Sequence, residues 1–227
     1  MIEEAGRLPV PEVGDVACLT MVPPDPSAVL VLAHGAGAGM THPFMQALAA
    51  ALAKQAVATV RFQFPYTDLG GRRPDPPPVL MAAVEAAVAD AGRRFPRLSL
   101  FAGGKSMGGR MASQAASRGM QVQGLVCFGF PLHPAGRPGT SRAAHLQRVA
   151  IPMLFLQGER DRLADLALLR PVIHELGALG TLEVIADGDH GFHVPKRSGQ
   201  TDAEVIERLA ERAAGWMARV AAANRAP

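Results

Sequence analysis

The stretch Leu98-Ser99-Leu100-Phe101-Ala102-Gly103-Gly104-Lys105-Ser106-Met107-Gly108-Gly109-Arg110 decides how this chain is read. An apolar strand run over 98–102 gives way, at Ser106, to a helix-like run over 110–115. Glycines two positions to either side of the serine carry no Cβ that could collide with a neighbouring strand or helix. The backbone can therefore turn sharply, push the Ser106 hydroxyl into the open and leave the Met107 N–H free to face a developing oxyanion. With 24 glycines in 227 residues the pentad alone is only suggestive. Its context gives it weight.

Outward from that turn, strand and helix patterns alternate. Apolar runs at 28–33, 56–64, 98–102, 122–130, 151–157 and 181–186 read as strands, with a weaker one near 16–22. Most are continuously apolar, the pattern of a parallel sheet covered on both faces. Helices are expected at about 43–54, 78–94, 107–119, 142–148, 163–177 and 203–223. In the last, Val205, Leu209, Ala213, Trp216, Met217 and Val220 follow helical spacing, and Thr201 with Glu204 forms a capping box at its start. No repeat or linker interrupts the pattern, so residues 1–227 read as one α/β domain, a mostly parallel sheet with helices on both faces.

Composition narrows the functional classes. The chain is 48% hydrophobic, enough for one well-buried core, and its net charge of +3 comes from 23 basic and 20 acidic residues scattered along it. No basic cluster interleaves with aromatics, so no nucleic-acid partner is expected. No apolar segment approaches membrane-spanning length and no apolar leader follows the acidic start, which predicts a cytoplasmic protein without a membrane partner. Cys18 and Cys127 form no CxxC pair, and Cys127 lies in an apolar strand run, the setting of a buried thiol.

In parallel sheets reactive groups gather beyond the carboxyl ends of the strands. After 28–33 comes His34-Gly35-Ala36-Gly37-Ala38-Gly39, which resembles the HGGG-type oxyanion loop of esterases and lipases and makes Ala36 a candidate donor; a flexible turn is the other reading. After 151–157 comes Gly158-Glu159-Arg160-Asp161, where Asp161 could hold a histidine in the right tautomer, with Asp165 as the fallback acid. After 181–186 comes Asp187-Gly188-Asp189-His190-Gly191-Phe192-His193, with His190 the first choice of base and His193 the second. His34, His42, His133, His145 and His174 have ordinary readings as loop or surface residues. Lys105 reads as a solvated side chain that could raise the local positive potential.

The order Ser106, Asp161, His190 is that of the α/β-hydrolases. The chain resembles that superfamily, near the dienelactone-hydrolase-like group. Within that group it resembles a small branch that includes testis-expressed protein thirty and related bacterial proteins. The resemblance rests on Leu32-Ala33-His34-Gly35-Ala36-Gly37, Arg61-Phe62-Gln63-Phe64-Pro65-Tyr66, Gly103 to Arg110, Phe130-Pro131-Leu132-His133-Pro134 and Asp189-His190. It implies a single-domain fold with little or no cap, and a site bordered by Tyr66 and His133 as candidate substrate contacts. Dienelactone hydrolases use a cysteine nucleophile where this chain has Ser106.

These residues lead to the expectation of a serine hydrolase acting on a small-molecule carboxylic ester or thioester. Ser106, His190 and Asp161 are its catalytic residues, Met107 and Ala36 its oxyanion donors. No metal and no cofactor are expected. The alternative is a hydrolase fold kept as a catalytically silent binding or scaffold module. A P-loop is excluded because its first glycine would fall at position 99, which is Ser. The GxGxxG pattern fails because its third glycine would fall at Met40.

Overall fold

The structure, a computed structural model, describes residues 2–225. One eight-stranded sheet runs through it in the order β1-β2-β4-β3-β5-β6-β7-β8. Strands β3 (Ala28–Ala33), β4 (Val57–Phe62), β5 (Ser99–Lys105), β6 (Leu125–Phe128), β7 (Met153–Gly158) and β8 (Gly180–Ile185) are mutually parallel. Strand β2 (Gly14–Val22) runs antiparallel to β4 and forms a hairpin with β1 (Ile2–Val10).

The apolar run of β3 and the whole of β4, including Thr59 and Arg61, are buried at every position. Alternate residues of β3 serve opposite faces. Val29, Val31 and Ala33 pack towards α3 (Pro77–Arg94) and α4 (Met107–Ala116), while Ala28, Leu30 and Leu32 pack towards α1 (Pro43–Lys54) and α6 (Asp202–Ala223). Helix α6 starts with the expected capping box, in which the Glu204 N–H donates to Thr201 Oγ1 and the Thr201 N–H donates back to Glu204 Oε2. Trp216 sets its ring edge-on against Phe101, centroids 6.1 Å apart.

Three expectations need correction. Strand β1 has no counterpart in the sequence reading. The segment expected as a helix at 142–148 is a 3-10 helix, Ser141–Arg148. The helix expected over 163–177 is shorter, α5 (Leu166–Glu175), and Asp165 caps it from outside by accepting the Ala167 N–H at 2.8 Å. No helix of the described residues is long and apolar enough to cross a membrane.

From β3 the chain moves outward to β4, passes through the short helix α2 (Pro65–Asp68) and α3, then crosses back to β5 on the other side. At such a reversal the connections leave in opposite directions and open a crevice beyond the strand ends. His34 follows β3, Ser106 follows β5, Asp161 lies just past β7 and His190 follows β8.

Candidate active site

Ser106 sits between β5 and α4 with φ 52° and ψ −113°, a conformation an L-residue adopts only under constraint. The constraint comes from the flanking glycines. A Cβ on Gly104 would lie 2.1 Å from the Ala33 carbonyl oxygen, and one on Gly108 would lie 2.3 Å from the same atom. Strand and helix thus both press against the end of β3. The Ser106 N–H is held by the Phe128 carbonyl at 3.0 Å, and the Ser106 carbonyl accepts from the Arg110 N–H at 3.1 Å.

The structure brings His190 to this serine. His190 Nε2 lies 2.8 Å from Ser106 Oγ, and His190 Nδ1 lies 2.6 Å from Asp161 Oδ2. The Asp161 side chain is fully buried and accepts two further bonds, from the Leu163 N–H at 2.7 Å and from Gln157 Nε2. Its orientation is therefore fixed before the histidine arrives. The other candidates lie elsewhere. His193 is exposed and pairs through Nδ1 with Asp202 Oδ2 at 2.8 Å; that hydrogen bond raises its pKa. Asp165 is occupied with its helix cap.

Sequence reasoning missed Asp189. Its Oδ1 accepts from the N–H groups of both Gly191 and His193, at 2.7 and 2.9 Å, which folds the loop that carries His190. An Asp just before the histidine in a short glycine-containing loop was the available signal, since such side chains bond their own backbone two residues on.

On the opposite side of the serine the His34 loop closes in. A Cβ on Gly35 would lie 3.6 Å from the Ser106 Cβ, so the loop passes close to the serine, with Ala36 the next residue along it. Neither the Ala36 nor the Met107 N–H has a backbone acceptor among the described residues. His34 is not a loop-surface residue. It is fully buried, its Nδ1–H donates to the Gly35 carbonyl at 2.8 Å, and its Nε2 accepts from the Phe64 N–H at 3.1 Å. Burial drives its pKa down to about 4, so the ring is neutral.

The α/β-hydrolase domain family matches residues 26–218 of this sequence. The chain belongs to the α/β-hydrolases. Its fold is similar to that of an α/β serine hydrolase homologue from Coxiella burnetii at 21% identity, covering 93% of this chain and 98% of the other, with a TM-score of 0.76. It is likewise similar to a dienelactone hydrolase from Anabaena variabilis, at 22% identity over 96% and 97% of the two chains, TM-score 0.76. A serine hydrolase without a lid from Xanthomonas campestris matches at 22% identity over 92% and 94%, TM-score 0.71.

Of the two residues expected to contact substrate in this α/β-hydrolase, one is packed in the core and the other is bonded to backbone. Tyr66 is 5% exposed and packs in the core cluster with Phe62 and Phe64, its hydroxyl buried without a partner among the described residues. His133 has both ring nitrogens committed to backbone. Nδ1–H donates to the Pro134 carbonyl at 3.0 Å, and Nε2 accepts from the Asp165 N–H at 3.0 Å. It still borders a hollow of about 630 Å³ with Glu159, Arg162 and Leu166, but has no polar atom left to offer.

A second hollow of about 470 Å³ is lined by His190, Arg160, Arg162 and Asp189. Cys127, beneath the α4 start, has its thiol pushed up to about 12 by burial and is no competing nucleophile. Among the described residues no group of three or more His, Cys, Asp or Glu side chains could hold a metal ion.

Proposed function

We propose that this α/β-hydrolase is a serine hydrolase that cleaves a small carboxylic ester or thioester through an acyl-enzyme. The observation that carries the reading is the unbroken hydrogen-bonded line from Ser106 Oγ through His190 to the buried Asp161, at 2.8 and 2.6 Å. A nucleophile, a base within reach and a group orienting that base are the minimum for activating a hydroxyl.

Ser106 Oγ attacks the acyl carbon as its proton passes to His190 Nε2. Asp161 accepts from Nδ1–H, which keeps Nε2 free as the base and stabilises the imidazolium that forms. The developing oxyanion is received by the N–H groups of Met107 and Ala36, each such donor being worth about 2.7–4 kcal/mol. Collapse breaks the bond to the leaving oxygen or sulfur, which takes the proton from His190. Water then repeats the sequence and releases the acid. Both N–H groups lack a backbone acceptor, and the Ser106 turn is held rigidly by Ala33; both features support this use.

A fluorophosphonate probe and a panel of acyl esters and thioesters test the reading, with Ser106→Ala as control. Labelling and turnover that disappear in Ser106→Ala are expected. A wild-type protein that ignores the probe and the panel would instead be a silent binding module.

A further inference from the structure

Lys105 is only partly exposed and its side chain runs inward rather than out into solvent. From the last position of β5 its side chain passes under the histidine loop, and Nζ donates to the carbonyl oxygen of His190 at 2.5 Å. Two aromatic rings wall the ammonium, Phe192 with its centroid 5.3 Å away and Phe44 at 5.9 Å. Those rings stack on each other at 5.8 Å. Gly129, at φ 70°, lies against the ammonium as well. A Cβ there would fall 2.9 Å from Nζ and 3.6 Å from His190 Cε1. The ammonium therefore ties together the nucleophile strand, the turn after β6, the start of α1 and the backbone of the base itself.

The residue type is informative. Only three of the chain's 23 basic residues are lysines, Lys54, Lys105 and Lys196, so arginine is the usual surface cation here. An arginine's wide planar fork has no room against Gly129, whereas a lysine supplies a compact donor. A methionine would fill the same passage with no charge to desolvate. What lysine adds is the bond to His190. Among the described residues Nζ forms no ion pair within 4 Å; its charge is met by that carbonyl and the two ring faces. Burial lowers its pKa to about 8 while Asp161 and Asp189 pull it back up, so the ammonium persists at pH 7.

The loop it grips needs holding. Phe192, two residues past the base, sits at φ 65°, a conformation a non-glycine residue adopts at some cost. We propose that Lys105 is a positioning residue whose ammonium fixes the His190 backbone, so that the imidazole stays in line between Ser106 and Asp161. This rests on the serine-hydrolase reading for its catalytic consequence, but the clamp itself is a property of the loop.

Lys105→Met keeps an unbranched side chain, one atom shorter, and removes the donor. It should lower kcat on a short-chain p-nitrophenyl ester by about 10–100-fold, the scale on which an ångström of misplacement acts, with KM little changed. Amide hydrogen exchange over residues 189–193 should quicken while the central strands stay protected. In Lys105→Ala, methylammonium should restore part of the lost kcat and tetramethylammonium, which has no N–H, should not. Wild-type kcat in Lys105→Met, or unchanged exchange in the loop, overturns the proposal. If Lys105→Met does not fold, the wild-type protein carries the test by nitrogen-15 NMR. The Lys105 ammonium protons should exchange more slowly than those of exposed Lys196, and equal rates overturn it. The exchange and NMR readouts need no turnover, so a wild-type protein without hydrolase activity would fail the functional reading and leave the clamp to be judged separately.

Discussion

His34 and His133 make the same pair of backbone hydrogen bonds on opposite sides of β5, the strand that leads into Ser106. Each donates Nδ1–H to the carbonyl of the residue after it, and each accepts at Nε2 from a distant backbone N–H, Phe64 for His34 and Asp165 for His133. The partners fix the tautomer, since a carbonyl can only accept and an amide can only donate. The two rings staple the loops after β3 and β6, the strands flanking β5. One staple shapes the loop that carries Ala36, and the other ties the Asp165 end of the segment that carries Asp161.

The two staples should separate by kinetics. His34→Ala frees the Gly35 carbonyl and lets the Ala36 N–H wander, so kcat should fall towards the 10²–10³-fold range of a lost oxyanion donor. His133→Ala should act mainly on stability, by about 1–3 kcal/mol for two backbone groups left unpaired, with a far smaller change in kcat. Urea unfolding and steady-state kinetics on both variants check this. Equal losses of kcat would remove the distinction.

Ser106 gives a stability prediction of its own. At φ 52° and ψ −113° it makes no side-chain cap bond to α4, so its strain is not repaid there. Such a conformation costs on the order of 1–3 kcal/mol, and glycine adopts it freely. Ser106→Gly should therefore abolish turnover yet raise unfolding stability by about 1 kcal/mol, after the larger entropy of an unfolded glycine is subtracted. Ser106→Ala should lose turnover without that gain. Denaturant midpoints decide it, and a glycine variant less stable than the alanine one would mean the turn is unstrained.

What the sequence made legible follows burial. Strands β3 to β8 were readable because apolar residues dominate them, even where a polar residue such as Thr59 or Arg61 intervenes, in a sheet largely covered on both faces. Strand β1, with Glu3, Glu4 and Arg7, is exposed at all but Leu8 and Val10 and so carries no apolar pattern. It is recruited by pairing: Glu3 meets Arg61, a fully buried arginine of β4. Ser106, Asp161 and His190 could be singled out because each stands beside a strand end. The positions of Lys105, His34 and His133 could not. Their directions depend on contacts with loops 30 or more residues away, which local pattern does not encode.

Buried histidines should make the fold sensitive to mild acid. Burial lowers the pKa of both His34 and His145 to about 4, against an ordinary value of 6.5; for His145 the nearby Arg110 and Arg148 add to this. Between pH 4 and 6.5 the unfolded chain binds these protons and the folded chain does not, so stability is lost as pH falls through that window. The loss is up to about 3 kcal/mol per histidine. His145 Nε2 lies 2.8 Å from Ser113 Oγ, and His145→Gln keeps a polar partner there without titrating. Its stability should decline less steeply than the wild type's from pH 6.5 to 4. A parallel decline would show that His145 titrates normally.

Asp161→Asn should preserve the shape of the site while spoiling its proton logic. An amide NH2 in place of Oδ2 would face the Nδ1–H and favour the tautomer that leaves Nε2 protonated and unable to act as base. In a serine protease the same exchange costs about 10⁴ in kcat, which sets the scale. Asp165→Asn, which touches only the α5 cap, should leave kcat within a few-fold. The reverse ranking of the two variants would move the orienting acid.

The cleft should favour short acyl chains. Larger lipases cover an extended acyl channel with an amphipathic helical lid inserted after the strand that follows the nucleophile helix. Here the corresponding stretch, 131–150, holds only the 3-10 helix Ser141–Arg148, and its Ala143, His145 and Leu146 are turned into the protein. Those buried side chains leave no broad apolar underside to lie over the site and swing away at a lipid surface. The hollows beside His190 and His133 are open and lined in part by Arg160, Arg162 and Glu159, poor company for a long alkyl chain. On a series of p-nitrophenyl esters, kcat/KM should fall from acetate and butyrate towards long chains, with no jump in rate as the substrate passes its micellar concentration. A preference for long chains, or a rate that climbs at the interface, would require an apolar channel that these side chains do not form.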